Sequence, residues 1–122
     1  VPSELAGLNL LPYLESGEGI PRQTLYGEAF GHDIQDIDDP EASLLNRWCI
    51  DGDWKLIVSY TDDLQGGSAR VRQAHLHPPQ LFQLKNDPEE ENNVAAQHPE
   101  RVQQLKQKLQ SWYPVKKGLI DQ

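Results

Sequence analysis

The clearest periodicity in the sequence lies near its C-terminal end. Four apolar residues recur there at spacings of three, four and three: Val102, Leu105, Leu109 and Trp112. Glutamine, lysine and arginine fill the positions between them, so one face is apolar and the other polar, as in an amphipathic helix. Pro99 suits the first turn of a helix, and Pro114 ends it. The pattern predicts a helix over residues 99–112 that packs its apolar face on a core.

Upstream of this helix the sequence predicts strands. The expected strands are Gln23–Phe30, Leu45–Ile50, Asp53–Tyr60 and Gln80–Leu84, with a weaker one at Ala69–Gln73. An acidic loop over residues 31–42 and a long polar loop over residues 61–79 separate them. The predicted fold class is α+β: a small antiparallel sheet of about four strands with the C-terminal helix packed on one face.

The pair Asp51-Gly52 predicts the turn of the central hairpin, because these residue types tolerate the positive φ angles of a type I′ turn. If both are turn residues, one face carries the pairs Cys49 with Trp54, Arg47 with Leu56, and Leu45 with Val58. The other face carries Trp48 with Lys55 and Asn46 with Ile57. The first set is the more apolar, so we expect it to lie in the core beneath the helix.

Residues 1–20 are expected to be a connector that precedes a single domain over residues 21–122. Leucines recur in this connector with partial helical spacing, but Gly7 and Pro12 interrupt them. A leucine-rich stretch with no local cover is expected to meet a partner or to be pinned to the core.

The arrangement leaves five apolar side chains as interface candidates: Leu10, Leu11, Leu14, Trp48 and Ile57. Trp48 and Ile57 lie on the sheet face away from the helix, which an isolated domain would not expose. We expect this face to pack on a missing partner. Without that partner, we expect the chain to self-associate or to cover the face with its own N-terminal segment.

Charge and composition exclude some classes of binding partner. The 122 residues carry a formal net charge of −8, and an acidic surface repels nucleic acid and anionic membranes. We therefore expect neither as a partner. No stretch approaches the roughly 18 consecutive apolar residues of a transmembrane helix. The single cysteine, Cys49, excludes a disulfide within the chain.

The sequence offers no constellation that predicts an active site. His75 and His77 share a face if they lie on a strand, but no third ligand follows at a metal-site spacing. The acidic loop after His32 lacks the alternating acids and the central glycine of a calcium loop. Cys49 has no histidine near it in the sequence and is predicted to be a packed, inert thiol. We expect no catalytic residue, metal ligand or cofactor in this chain.

Four segments share one likeness: residues 5–14, Arg47–Ile57, Gln80–Asn93 and Pro99–Trp112. Together they resemble the C-terminal end of the type I sulfatases, the formylglycine-dependent arylsulfatase family. The first is similar to the Gly-x-Ser-Leu-x-Pro-x-Leu segment by which those enzymes leave their large domain. The second is similar to their hairpin ending in Trp/Tyr-Lys-Leu-Ile. The third resembles their Glu-Leu-Tyr-Asp-Leu strand with its Asp-Pro-x-Glu-x-x-Asn turn, and the fourth resembles their closing helix.

The resemblance implies a C-terminal subdomain without catalysis of its own. Family members hydrolyse sulfate esters with a formylglycine, made from the cysteine of Cys/Ser-x-Pro-x-Arg, and with calcium. Here Cys49 is followed by Ile50, Asp51 and Gly52, and the calcium ligands of the family belong to the large N-terminal domain. We expect the chain alone to be inactive and its partner to be a sulfatase N-terminal catalytic domain. The implied substrate of the parent is a sulfate ester, with sulfated carbohydrate as one class, and the implied location is periplasmic or secreted.

The resemblance also implies that this subdomain supplies loops to the rim of the substrate cleft. Residues 26–33 leave the first predicted strand, and loops at strand ends commonly contact substrate. The rim candidates are Glu28, His32 and Asp33. An ordinary exposed loop is the competing interpretation.

Two other functions stay open at this point. One is a stand-alone carbohydrate- or protein-binding module that uses Trp48, Tyr26 and Trp112. The other is a small independent hydrolase that uses His75, His77 and the acidic loop.

Overall fold

One antiparallel sheet forms the centre of the protein, and its strands follow one another in chain order. They are β1 (Thr24–Phe30), β2 (Leu44–Asp51), β3 (Trp54–Ser59) and β4 (Gln80–Gln83). A short helix, α1 (Leu11–Ser16), precedes the sheet, and a longer one, α2 (Pro99–Trp112), follows it. Two 3-10 turns, Pro40–Ser43 and Ala95–Gln97, lead into β2 and α2.

This computed structural model describes residues 8–19, 24–31, 34, 36–61 and 76–121. Within them the α+β class and the sheet with a C-terminal helix are confirmed. The weak strand predicted at 69–73 lies outside the described residues. None of the described helices is long and apolar enough to cross a membrane.

The predicted register of the central hairpin is wrong by one turn position. Gly52 and Asp53 form the turn, and Asp51 is the last residue of β2, paired with Trp54. Of the two turn residues only Gly52 has a positive φ, 58°, as the first central position of a type II′ turn requires. Asp51 stays extended, and its Oδ1 accepts hydrogen bonds from Thr24 Oγ1 at 2.8 Å and from Lys108 Nζ at 2.7 Å.

This correction moves each partner along β3 by two residues. The observed pairs are Asn46 with Ser59, Arg47 with Val58, Trp48 with Ile57 and Cys49 with Leu56. Because side chains alternate across a strand with a period of two, a shift by two leaves residues 46–49 and their partners on their predicted faces. Leu45 is the exception: next to the irregularity between Ala29 and Phe30, Leu44 and not Leu45 belongs to the core.

The core lies between α2 and the inner face of the sheet. Its buried residues are Leu44, Cys49, Leu56, Val58, Tyr60, Leu81, Val102, Leu105 and Leu109. Three of the four stripe residues of the helix are buried as predicted. The fourth, Trp112, is 44% exposed, because α2 ends there and its ring stacks on Tyr26 with centroids 4.9 Å apart.

Two segments close the sheet on the β4 side. The backbone of Val94 donates to the Leu81 carbonyl at 2.9 Å, and Asn93 Oδ1 accepts from the Leu81 N–H at 3.0 Å. Beyond the end of β4, residues 118–120 run beside the end of β3. These contacts satisfy backbone groups that a short edge strand would otherwise leave exposed.

Candidate functional site

The one rim candidate that the structure places is Glu28. It is exposed on β1 and pairs with Arg47, so both side chains lie on the α2 side of the sheet. His32 and Asp33 lie outside the described residues. The rim assignment remains a prediction, but Glu28 stands beside a cluster that sequence reasoning did not find.

That cluster, called here the arginine cluster, consists of Arg47, Tyr60, Trp112 and Tyr113. Arg47 has no exposed surface, although it is a cation. Its Nη2 donates to the Leu109 carbonyl at 2.6 Å, and its Nη1 donates to the Tyr60 hydroxyl at 3.4 Å. The guanidinium carbon lies 5.2 Å from the ring centre of Trp112 and 5.5 Å from that of Tyr113. The side chain thus ties the centre of β2 to the end of α2.

The buried charge of Arg47 is compensated by dipoles and rings. Among the described residues no carboxylate forms an ion pair with it, and its Nε has no hydrogen-bond partner. The C-terminal end of a helix carries partial negative charge, and aromatic faces attract guanidinium groups. Burial raises the pKa of the Tyr60 hydroxyl, with the hydrogen bond from Arg47 opposing that rise. Tyr60 is therefore a neutral partner at ordinary pH.

The outer surface of the cluster is aromatic and acidic. Trp112 and Tyr113 are 44% and 42% exposed. The Tyr113 hydroxyl donates to Glu41 at 3.5 Å, and the same carboxylate accepts from the Lys116 N–H at 3.0 Å. Rings and carboxylates in this arrangement suit contacts to sugars or to cationic groups.

The opposite sheet face, called here the distal face, is built around Trp48. Its indole lies against Gly27 of β1, where an added Cβ would come within 2.2 Å of the ring. Only glycine leaves room for this arrangement. Trp48 and Ile57 lie on this face, as the sequence predicted, but they pair with each other and not with Lys55 and Asn46. Both are half-buried, and Leu25 beside them is 40% exposed.

This geometry separates the three aromatic residues of the binding-module hypothesis. Tyr26 and Trp112 stack on the α2 side, whereas Trp48 lies on the distal face. They do not form one site.

A charged pair borders the distal face. Lys55 Nζ binds both carboxylate oxygens of Glu90, at 2.6 and 2.8 Å, and lies 5.7 Å from the centre of the Trp48 ring. Glu90 has a φ of 60°, the left-handed region that few side chains adopt. The ion pair and the cation–π contact hold this backbone conformation in place.

The turn after β4 explains the Asp-Pro-x-Glu-x-x-Asn pattern in structural terms. Asp87 accepts from the N–H groups of Glu91 and Asn92, both at 3.0 Å, and these bonds lower the pKa of its carboxyl. Asn93 Oδ1 accepts from the Leu81 and Ala95 N–H groups at 3.0 Å each. Both side chains bind their own backbone, as Asp and Asn commonly do in turns. The signature of this segment therefore reflects a folded turn.

The side chains weighed for catalysis have structural contacts. Cys49 is fully buried, its Sγ lies 3.8 Å from the Leu105 carbonyl, and burial raises the pKa of the thiol to about 11. His77 Nδ1 lies 3.2 Å from Ser59 Oγ and 3.0 Å from the Pro78 carbonyl, and His75 lies outside the described residues. Within the described ranges, no group of three or more His, Cys, Asp or Glu side chains is arranged to hold a metal ion.

The leucines named as interface candidates in the connector are exposed. Leu10 is 47%, Leu11 59% and Leu14 78% exposed. All three lie in or directly before α1, and this helix contains no buried residue. Their exposure is compatible with an interface, and the interface role stays a prediction.

Sequence reasoning missed the arginine cluster and the ion pairs by which described segments are joined, among them Lys55–Glu90 and Lys108–Asp51. The only sequence signal for the arginine cluster was the place of Arg47, a charged residue, on the predicted inner face. The asparagine and aspartate of the turn after β4 were the signal for its hydrogen bonds. The ion pairs depend on chain packing and leave no local pattern.

Comparison with known proteins gives two curated relatives and several solved structures, one of which is described below, while no protein-family model matches. The chain is 33% identical over 113 residues to arylsulfatase K of Xenopus laevis, covering 91% of this chain and 18% of that protein. It is 39% identical over 69 residues to the N-acetylgalactosamine-6-O-sulfatase of Bacteroides thetaiotaomicron, covering 51% and 12%.

The solved structure comes from work on the metabolism of multiple glycosaminoglycans by Bacteroides thetaiotaomicron and is labelled 6S-sulf. It superposes with a TM-score of 0.58 at 26% identity, covering 92% of this chain and 21% of that one. The chain thus spans between 12% and 21% of the length of the proteins it matches.

Proposed function

Because the chain is related to sulfatases over nearly its whole length, we propose that it is the non-catalytic C-terminal subdomain of a sulfuric ester hydrolase. In this role it completes the fold of the parent enzyme and helps to shape the substrate cleft. One observation carries the proposal: the match covers at least nine-tenths of this chain but about a fifth of the matched proteins. The parent's catalytic machinery, with its formylglycine and calcium, belongs to the remaining part.

The distal face is the surface that packs on the catalytic domain in this proposal. Trp48, Ile57 and Leu25 form an apolar patch there, bordered by the Lys55–Glu90 pair. Apolar patches rimmed by charged residues are typical of interfaces. The exposed leucines of α1 extend the apolar surface of the chain, and they belong to the connector that leads from the catalytic domain.

In this proposal the end of β1 lies at the rim of the substrate cleft. Glu28 is exposed and pairs with Arg47, whose guanidinium group lies against the half-exposed rings of Trp112 and Tyr113. Together with His32 and Asp33 it would contact the sulfated substrate of the parent. Aromatic rings beside polar groups are a common surface for carbohydrates.

The first test is the coding sequence upstream of Val1. It should encode Cys/Ser-x-Pro-x-Arg in the same reading frame. An upstream frame that lacks this motif overturns the assignment to a sulfatase.

The second test compares variants of that full-length enzyme with variants of the isolated chain. Trp48→Ala and Ile57→Asp should lower the melting temperature more in the full-length enzyme, because there they also disrupt the domain interface. Gln104→Asp, on the exposed side of α2, is the matched control and should behave alike in both. Equal losses for the distal-face variants in both proteins would show that this face is not the interface.

A third test concerns the rim. Glu28→Gln in the full-length enzyme should raise KM for the sulfated substrate with little change in melting temperature, since the side chain is exposed. An unchanged KM would remove Glu28 from the rim.

A further inference from the structure

The outer edge of β1 is a seven-residue strand edge that the described chain leaves without a backbone partner. β1 is a terminal strand of the sheet and pairs only with β2. The other terminal strand, β4, is covered by Asn93 and Val94. Among the residues that the structure describes, one edge of the sheet is therefore covered and the other is open.

The hydrogen-bond pattern shows which groups of β1 face outward. In an antiparallel sheet the backbone groups of successive residues point alternately to the two neighbouring strands. The Tyr60 N–H donates to the Leu45 carbonyl at 2.9 Å, so odd-numbered residues of β2 bond to β3. Even-numbered residues such as Trp48 then bond to β1, where Trp48 pairs with Gly27.

It follows that Leu25, Gly27 and Ala29 direct their backbone groups to β2. The residues whose N–H and C=O groups point outward are Thr24, Tyr26 and Glu28. The same alternation predicts that odd-numbered residues of β3 face away from β2, which the bonds at Asp53 and Ser59 bear out. Three residues thus offer donors and acceptors at an open edge.

This edge has few of the features that prevent strands from pairing. Natural sheets guard their edges with lysine, proline, short strands or bulges. β1 contains neither lysine nor proline, its one charge is Glu28, and its bulge lies at its very end, between Ala29 and Phe30. Apolar side chains flank the edge, with Leu25 40%, Phe30 43% and Trp112 44% exposed.

We infer that the edge of β1 is a self-association surface that pairs antiparallel with β1 of a second copy of this chain. The segment is self-complementary about Tyr26. In that register Thr24 faces Glu28 of the second copy, so no two like charges meet, and each outward residue forms a hydrogen-bonded pair. A two-fold axis through Tyr26 makes the contact closed and isologous. The pairing also brings together the half-exposed Trp112 rings that stack on Tyr26.

The dimer is weak and dependent on salt. A contact of one short strand is at the small end of specific interfaces, and small interfaces are typical of weak, transient association. Each chain carries a net charge of −8, so the two copies repel at low ionic strength. Added salt screens that repulsion and tightens the dimer. This association requires neither the sulfatase relationship nor the docking role of the distal face.

Sedimentation equilibrium of the full chain between about 10 µM and 1 mM tests the surface. We expect a monomer–dimer equilibrium that shifts toward dimer in 0.5 M NaCl, where the Debye length falls to about 4 Å and the repulsion between the two copies is screened. Glu28→Pro removes an outward N–H, a change that edge strands tolerate, and should weaken association at least about tenfold. Glu28→Gln keeps that N–H and should still dimerise.

Hydrogen exchange of the unmutated chain provides a second measurement if Glu28→Pro fails to fold. In dilute solution the amides of Leu25, Gly27 and Ala29 should be protected, whereas those of Tyr26 and Glu28 should exchange rapidly. At high concentration the latter two should become protected.

Three results would overturn the inference. They are a chain that stays monomeric across the whole range, a folded Glu28→Pro variant that associates as the wild type does, and association abolished by Trp48→Ala but not by Glu28→Pro. The last would assign self-association to the distal face.

Discussion

The thiol of Cys49 lies beneath α2, where its Sγ is 3.8 Å from the Leu105 carbonyl oxygen. Burial raises its pKa to about 11, and the negative charge of Asp51 contributes to the rise. At pH 8 the fraction of Cys49 in the reactive thiolate form is therefore about 100-fold lower than for an ordinary cysteine. Iodoacetamide should label the folded chain at least about 100-fold more slowly than the chain in 8 M urea, as followed by mass spectrometry. Comparable rates in the two states would show that the thiol is accessible.

A second residue-scale prediction concerns Asp51 and the dependence of stability on pH. The hydrogen bond from Lys108 lowers the pKa of the Asp51 carboxyl below its ordinary value. A lowered folded-state pKa stabilises the fold above the unfolded pKa, about 3.9. That contribution is lost as the pH falls through the folded-state value. Asp51→Asn should therefore be less stable than the wild type at pH 6, by about 0.5–1 kcal/mol, and the difference should shrink below pH 4.

The control for Asp51 is Asp53, an exposed residue of the turn that follows β2. Urea unfolding of Asp53→Asn should match the wild type across the same pH range. A difference for Asp51→Asn that stays constant down to pH 2 would mean that the carboxylate charge is not its source.

At the scale of elements, the packing of α2 on the sheet depends on the apolar face of this helix, which the sequence predicted. Leu105 is fully buried against the sheet, whereas Gln104 on the same turn is exposed. Leu105→Ala removes buried apolar volume and should cost about 2–5 kcal/mol. Gln104→Ala should stay within about 0.5 kcal/mol of the wild type. Denaturant unfolding measures both, and a Leu105→Ala chain as stable as the wild type would show that the stripe does not face the core.

The hairpin shows how an element can be predicted correctly in outline and wrongly in register. Asp-Gly at positions 51 and 52 indicated the turn, and the turn is there. Asp51 was expected inside it, but its bonds to Thr24 and Lys108 hold it in the strand. Those partners are 27 and 57 residues away along the chain, so no local pattern could reveal the shift.

At the scale of the whole molecule, the relation to sulfatases recognised from the sequence is confirmed. The sequence contains no Cys/Ser-x-Pro-x-Arg, and its one cysteine is buried. We therefore predict no hydrolysis of an aryl sulfate by this chain, with or without added calcium. Turnover above a buffer blank that persists through repurification would contradict the proposed non-catalytic role.

Face membership, the helix and its buried stripe were determined by the sequence itself. Side chains alternate in a strand with a period of two and recur in a helix about every 3.6 residues, so a local apolar pattern decides which side of each element is buried. That is why Arg47, Cys49, Leu56 and Val58 were assigned to the inner face even though their pairing partners were wrong.

Only the tertiary structure decided the rest. The register depends on Asp51 and its distant partners, and the burial of Arg47 depends on where α2 ends, at the Leu109 carbonyl and the ring of Trp112. The place of Trp48 depends on Gly27, a glycine in another strand. Each of these is a contact between segments far apart in the chain, and the energy of such a contact is set by the geometry of both partners, which a pattern in either segment alone does not contain.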